Sequence, residues 1–337
     1  MQVGVAGASG YAGGEVLRWC ASHPCFDVVA ATADRMAGTP VATHTPSLAA
    51  AYPSLVLQET VPGAFEGCEL VFVALPHGRS ATLVDAVARA GAVVVDLGAD
   101  FRLRDPAEWQ QWYHEPHAAT HLLASAVYGL PERHRDQLAG ARLIAAPGCY
   151  PTAAILALAP LLDGGAAPRD GVVVDALSGA SGAGRALADS LHFPGLVDDA
   201  TAYGLLTHRH TAEMQQELSA TVLFTPHLVP MDRGLLITAY ARAAEGASTG
   251  SAMALLHDAY DHEPFVVVTD EPPSPKAVRG TNVAHVSARV DPRTGWLIAL
   301  GAIDNLGKGA AGQAVQCANV ALGLPETTGL ALAGVWP

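Results

Sequence analysis

Cys149 lies in the run Ala145-Ala146-Pro147-Gly148-Cys149-Tyr150-Pro151-Thr152, and an alanine- and leucine-rich helical pattern follows over 153–162. A thiol at the mouth of a helix feels the positive end of the helix dipole, which favours the nucleophilic thiolate. The same backbone N–H groups can hold a developing oxyanion. A thiol nucleophile also needs an acid or base, and Thr207-His208-Arg209-His210-Thr211-Ala212-Glu213 supplies two imidazoles. Glu213 follows His210 by roughly one helical turn, so its carboxylate can orient that ring. Thr211 is placed to cap a helix over 213–218. In an extended stretch His208 and His210 point to one side and reach one site. Taken singly, these features have plainer explanations: cysteine is commonly a small buried hydrophobe, and histidine is commonly part-exposed. Two histidines without a third ligand do not make a metal site, and no metal is expected.

A second set of residues suits a nucleotide. Gly7-Ala8-Ser9-Gly10-Tyr11-Ala12-Gly13 follows a short apolar run and opens a helical stretch. Glycines let the backbone approach a pyrophosphate, and the helix N-terminus binds its charge; Gly7, Ser9, Gly10, Tyr11 and Ala12 are the expected contacts. The next strand ends in Ala30-Ala31-Thr32-Ala33 and is followed by Asp34-Arg35. Thr32 and Arg35 suit a 2′-phosphate and hence NADP, whereas an inward-pointing Asp34 would serve NAD. Ser178-Gly179-Ala180-Ser181-Gly182-Ala183-Gly184-Arg185 joins glycines to two hydroxyls and an arginine. That set suits a phosphate or carboxylate, although a structural turn explains the glycines equally well. Arg102, in Asp100-Phe101-Arg102-Leu103, is a further anion-facing arginine. Asn305-Leu306-Gly307-Lys308-Gly309 ends the last strand, where Asn305 and Gly307 can lie near a nicotinamide.

Apolar patterns show what must position these residues. Continuous apolar strands over 2–6, 27–31, 70–75, 92–97 and 143–146 alternate with helices. This predicts an α/β fold with a Rossmann-type doubly wound parallel sheet. Ligands of such sheets sit beyond the carboxyl ends of the strands, where Leu75, Pro76 and His77 fall. After about residue 165 fewer helices separate the strands, over 172–176, 220–225, 235–242, 265–269, 282–290 and 297–304. An inserted α+β domain with a mixed sheet is expected there. A closing helix over 309–322 packs back on the first domain. The expected division is residues 1–148 plus 308–337 for cofactor binding and 149–307 for substrate.

The chain has 337 residues, half of them apolar, and a net charge of −13. That length fits two domains, and that charge speaks against nucleic acid and anionic membranes as partners. An anionic substrate must then be drawn in by a local site. The five cysteines fit neither a disulfide framework nor a zinc site. With no signal-peptide pattern and no apolar run long enough to span a bilayer, a reduced cytoplasmic location is expected.

Read together, these motifs resemble the N-acetyl-γ-glutamyl-phosphate reductases of arginine biosynthesis. Further matching stretches are Ala74-Leu75-Pro76-His77-Gly78, Tyr128-Gly129-Leu130-Pro131-Glu132 and Ile303-Asp304-Asn305-Leu306-Gly307-Lys308-Gly309. The family is similar in plan to aspartate-semialdehyde and glyceraldehyde-phosphate dehydrogenases. The resemblance implies NADPH as reductant, a small acyl-phosphate substrate and a homo-oligomer, dimer or tetramer. It gives the nucleophile role to Cys149 and the acid/base role to the histidine pair, with His210 preferred and His208 in substrate or phosphate contact. It leaves Ser178, Gly179 and Gly182 to the cofactor, and Arg102, Ser181 and Arg185 to substrate or phosphate. A related branch of lysine biosynthesis acts on a carrier-linked aminoadipyl phosphate, but Pro147, Tyr150-Pro151 and the Ser-Gly-Ala-Gly loop here have the arginine-pathway form. A non-catalytic NADP-binding regulator is the rival from another class; it has no use for a nucleophile.

Overall fold

The computed structural model describes residues 1–336 and comprises two compact units. The first is Met1–Pro147 with Ala310–Leu330; the second is Gly148–Gly309 with the tail from Ala331. The sequence reading put that tail in the first domain. It groups with the second unit because Asn282 N–H donates to the Ala331 carbonyl and Val335 N–H donates to that of Arg279.

In the first unit, six strands make one parallel sheet: β1 (Gln2–Ala6), β2 (Asp27–Ala31), β3 (Leu70–Val73), β4 (Val93–Asp96), β5 (Ala126–Tyr128) and β6 (Leu143–Ala145). Their order is β2-β1-β3-β4-β6-β5. β3 and β4 are buried at every residue, as strands covered on both faces must be. The strand order reverses at β1, with β2 on one side and β3 on the other, so the turns after β1 and β3 flank a topological switch point. Helix α1 (Tyr11–Ser22) follows β1, and α2 (Ala81–Arg89) follows β3. Asp100 holds the start of α2 by accepting from the N–H groups of Gly78, Ser80 and Ala81 at 2.7–3.1 Å. α3 (Pro106–Tyr113) and α4 (Pro131–Leu138) lie farther along the chain. The closing helix, Gly312–Ala321, contacts α1, α4 and β4, as the sequence predicts. It starts after a π-helical turn over Gly307–Ala311.

The second unit holds a seven-stranded mixed sheet: β7 (Val172–Ser178), β8 (Thr201–Ala202), β9 (Val222–Leu228), β10 (Leu235–Arg242), β11 (Val266–Val268), β12 (Ala284–Asp291) and β13 (Trp296–Ile303). Helices α5 (Cys149–Asp163), α6 (His210–Leu218) and α7 (Thr249–Tyr260) pack on this sheet. α5 is buried almost throughout, which suits its alanine and leucine content. Pro160 inside it lacks the N–H that would bond Leu156, and Tyr260 supplies the donor instead, 2.7 Å from that carbonyl. Alternate residues of β10 are buried, and the others face away from the helices.

Candidate active site

Both chemically suggestive turns are built alike. In each, a glycine in extended conformation precedes a helix and no side chain caps the N-terminus. At the first, Gly10 begins α1. Gly7 has φ +74°, and a Cβ there would lie 2.3 Å from the Ala74 carbonyl oxygen and 3.3 Å from a Leu75 methyl. Gly7 is therefore obligatory, and the Leu75 loop borders the glycine turn. A Cβ at Gly13 would come within 2.3 Å of the Gly7 oxygen, so α1 must also pass close to the turn. At Gly10 the nearest such contact is 3.4 Å, leaving room in front of the helix. A bare helix N-terminus with room before it fits a pyrophosphate.

The 2′-phosphate contacts come out differently from the expectation. Thr32 is fully buried, and its hydroxyl accepts from Thr60 at 3.1 Å. Its N–H is also committed, to Val5, so Thr32 is part of the sheet's continuation and not of an open anion site. Arg35 and Asp34 are exposed. Pro76 and His77 are exposed too, with the His77 ring 5.7 Å from that of Tyr113.

The second turn opens α5, with Gly148 as N-cap and half-exposed Cys149 as the first helical residue. The first intrahelical bond is donated by Thr152 to the Gly148 carbonyl, at 3.0 Å. Pro151 has no N–H, so the Cys149 and Tyr150 N–H groups form the first-turn donor set. A Cβ at Gly148 would lie 2.4 Å from His210 Nε2, so the imidazole rests directly on the residue before the thiol. Gly309 is equally tight on the other side: a Cβ there would lie 2.7 Å from Cys149 Cβ.

His210 is backed by Glu213, whose Oε1 lies 3.8 Å from Nε2. Glu213 is buried, and its other oxygen accepts from Gly148 N–H at 3.1 Å. One carboxylate thus touches both the imidazole and the turn that carries the thiol. Thr211 does not cap α6: the helix already includes His210, and Arg209 is its N-cap with no side-chain bond. The histidines meet through a helical bend and not an extended stretch, with ring centroids 4.8 Å apart.

His208 is set apart chemically. The His210 N–H donates to its Nδ1 at 3.3 Å, which fixes the proton on Nε2. Burial, and then the Arg209 charge, push its pKa down to about 4, so it is neutral at pH 7. Its ring is caged by Tyr150, Tyr203 and Phe224 at 5.2–5.7 Å. The Tyr150 and Tyr203 hydroxyls lie 2.7 Å apart, and burial raises the pKa of both, that of Tyr203 to about 12. Tyr203 was not foreseen; it lies in an irregular segment without a motif.

Residues after β7 form one loop system. Gly179 N–H bonds Gly234, and Asn305 donates to Ser181 at 3.0 Å while accepting from Gly234 N–H at 2.7 Å. Asn305 is buried, and its amide ties two loops together. Gly307 is buried as well, with the Thr281 oxygen 2.1 Å from where its Cβ would be. Asp304 anchors this region by accepting from Arg233 and from the N–H groups of Gly280, Leu306 and Gly307. Ser178, Gly179 and Gly182 line a cavity of about 450 Å³ with Tyr203 and His208. Arg185 is exposed at the loop's end. Arg102 is buried in the first unit, where it donates to the Leu97 carbonyl at 2.8 Å and faces Asp96. It is a core arginine of that unit and not an open anion site. Burial, and then the Asp100 charge, raise Asp96 to about 7.

Residues 2–141 match the semialdehyde dehydrogenase NAD binding domain, and residues 149–305 match the semialdehyde dehydrogenase dimerisation domain. N-acetyl-gamma-glutamyl-phosphate reductase from Symbiobacterium thermophilum is 46% identical, over 100% of this chain and 99% of its own length. The enzyme of that name from Desulforamulus reducens is 44% identical over the whole of both chains. The fold is shared with aspartate semialdehyde dehydrogenase II of Vibrio cholerae, at a TM-score of 0.73 and 16% identity, covering 95% of this chain and 98% of that one. It is also shared with the aspartate semialdehyde dehydrogenase of Candida albicans solved with NADP, at a TM-score of 0.72 and 18% identity, covering 95% and 97%. A glycine turn fit for a dinucleotide, a thiol in the first turn of a helix beside a His–Glu pair, and full-length similarity lead to one assignment: the chain belongs to the N-acetyl-γ-glutamyl-phosphate reductases of the semialdehyde dehydrogenase family.

Proposed function

We propose that this protein reduces N-acetyl-γ-glutamyl phosphate to N-acetylglutamate 5-semialdehyde and phosphate, with NADPH as reductant and a thioester on Cys149 as intermediate. The observation that carries the reading is His210 resting on Gly148 with Glu213 behind it, beside a thiol at a helix N-terminus. Cys149 Sγ attacks the acyl carbon, and the bond from that carbon to the phosphate oxygen breaks. The oxyanion that forms during attack is held by the N–H groups of the first turn of α5. His210 holds the proton that the departing phosphate takes, and Glu213 fixes the imidazole's orientation. NADPH, when bound, supplies the hydride that takes the acyl group to the aldehyde level. The aldehyde leaves as the C–S bond breaks, and sulfur departs as thiolate at the positive end of α5.

The Gly7–Ala12 turn would hold the pyrophosphate on its backbone, with Leu75 bordering it. Arg35 is the exposed cation after β2 and suits the 2′-phosphate. His208, neutral and carrying its proton on Nε2, contacts substrate as a donor and leaves proton transfer to His210. A homo-oligomer is supported by the outer face of the mixed sheet. There Val173, Tyr240 and Ile298 form one cross-strand row, and Leu177 and Leu236 pair in another. Leu177, Leu223 and Val267 are exposed, which is unusual for an unpartnered sheet. Among the described residues, no helix is long and apolar enough to cross a membrane.

The test is spectrophotometric: N-acetylglutamate semialdehyde, phosphate and NADP should yield NADPH, while aspartate and aminoadipate semialdehydes should react far more slowly. Cys149→Ser should reduce turnover by at least about 10³-fold and still bind NADP. Turnover in that variant, or preference for another aldehyde, would contradict the reading. NADP binding with no turnover in the unmodified protein would favour the regulator.

A further inference from the structure

The cavity bordered by Ser178, Leu196, Tyr203, His208 and Leu228 takes no part in the bond-making steps above, and of the two histidines only His208 lines it. Its volume, about 450 Å³, is in the range of small-molecule sites. Three observations say what kind of group it suits. Aliphatic side chains, Leu191, Leu196 and Leu228, make much of its wall. Among the described residues, its lining holds no lysine or arginine, and Asp199 is its one carboxylate. That carboxylate is already bonded to Ala200 N–H and the Thr201 hydroxyl. A phosphate or carboxylate would be repelled by such a lining and would find no cation in it. The polar groups on offer are neutral: His208, which borders the cavity with its proton fixed on Nε2, and the Tyr203 hydroxyl, oriented by Tyr150. A neutral donor pair beside an apolar wall matches an amide carbonyl followed by a short alkyl group.

We infer that this cavity receives the acylamino end of the substrate, its carbonyl oxygen facing His208 and Tyr203 and its methyl group facing Leu191, Leu196 and Leu228. The inference rests on the proposed reaction and specifies where that substrate's acetyl group is read. It makes Tyr203 and Leu196 specificity-determining residues, and it places the substrate's phosphate and carboxylate outside this cavity. Ser178, Gly179 and Gly182 form the wall of this cavity next to His208.

The experiment compares N-acetylglutamate semialdehyde with glutaric semialdehyde, the same carbon chain without the acylamino group. Leu196→Trp fills the cavity from its rim, and Tyr203→Phe removes one donor. In both variants kcat/KM for the acetylated aldehyde should fall at least tenfold relative to glutaric semialdehyde, with the KM for NADP within twofold of the unmodified value. In Leu196→Trp, an N-formyl substrate should recover part of the loss. Equal losses on both aldehydes, or a rise confined to the KM for NADP, would overturn the assignment. Inactivity of the unmodified protein on the acetylated aldehyde would instead overturn the proposed function, and is read before either variant.

Discussion

Two turns of this protein use one backbone device for different ends. Gly10 before α1 has φ −78° and ψ 167°, and Gly148 before α5 has φ −68° and ψ 155°. Each leaves a helix N-terminus without a side-chain cap. At Gly10 there is open space ahead, and the donors facing it are backbone N–H groups. At Gly148 the space is filled by an imidazole, and the next residue is a thiol. A helix N-terminus thus offers the same partial charge in both places. Whether it binds an anion or activates a nucleophile is decided by the side chains packed in front of it.

The comparison can be broken most forcefully at the imidazole. His210→Asn should lower kcat by about 10²–10⁴-fold and remove the pH dependence of the proton-transfer step. His208→Asn should act mainly on KM, because that ring already lacks an exchangeable charge at neutral pH. A pH–rate profile of both variants checks this division; loss of the profile in the His208 variant would reverse the roles.

Next in size is the glycine pair. Gly148→Ala must displace His210, since the added carbon would be 2.4 Å from Nε2, and kcat should fall about 10²-fold. Gly10→Ala meets nothing nearer than 3.4 Å and should leave kcat unaffected while changing the KM for NADP a few-fold at most. Steady-state kinetics of the two alanine variants would show whether these matched turns differ as described.

The smallest effect is on stability. His208 titrates at about 4 in the folded protein, below its ordinary 6.5. The unfolded chain therefore takes up a proton below pH 6.5 that the folded protein refuses until about pH 4. Stability falls as pH drops through that window, by up to about 3 kcal/mol. Asp96 works in the opposite direction: its folded pKa is raised, so its contribution is lost as pH rises from about 4 to about 7. Denaturant midpoints across pH 4–8 should show the acid limb flattened in His208→Gln and the upper limb flattened in Asp96→Asn.

The parts legible from sequence were those with strong local signals. The strands at 2–6 and 27–31 matched their apolar runs residue for residue, and so did 235–242. Ala126–Tyr128 was missed because three residues carry no period. Pro131–Leu138 was missed because its interior, Glu-Arg-His-Arg-Asp-Gln, shows no apolar stripe. Thr249–Tyr260 opens with Thr-Gly-Ser, poor helix formers, and is started by the reciprocal Ser248–Ser251 capping bonds. In the site, Cys149, His210 and Glu213 were visible because they are close in sequence to glycine, proline or one another. Thr32, Arg102 and Asn305 had suitable chemistry for an open site, but burial and committed partners assign them to the scaffold. Tyr203 was invisible because its partner, Tyr150, lies far away in the chain and only the fold joins their hydroxyls.

The central claim is that Cys149 carries the acyl group. Incubating the protein with N-acetylglutamate semialdehyde and NADP, without phosphate, should halt the reverse reaction at the acyl-enzyme. Peptide mass spectrometry should then find one N-acetylglutamyl adduct, on the peptide containing Cys149, which added phosphate discharges. NADPH formation with no adduct on that peptide, or with an adduct on a different residue, would contradict the account.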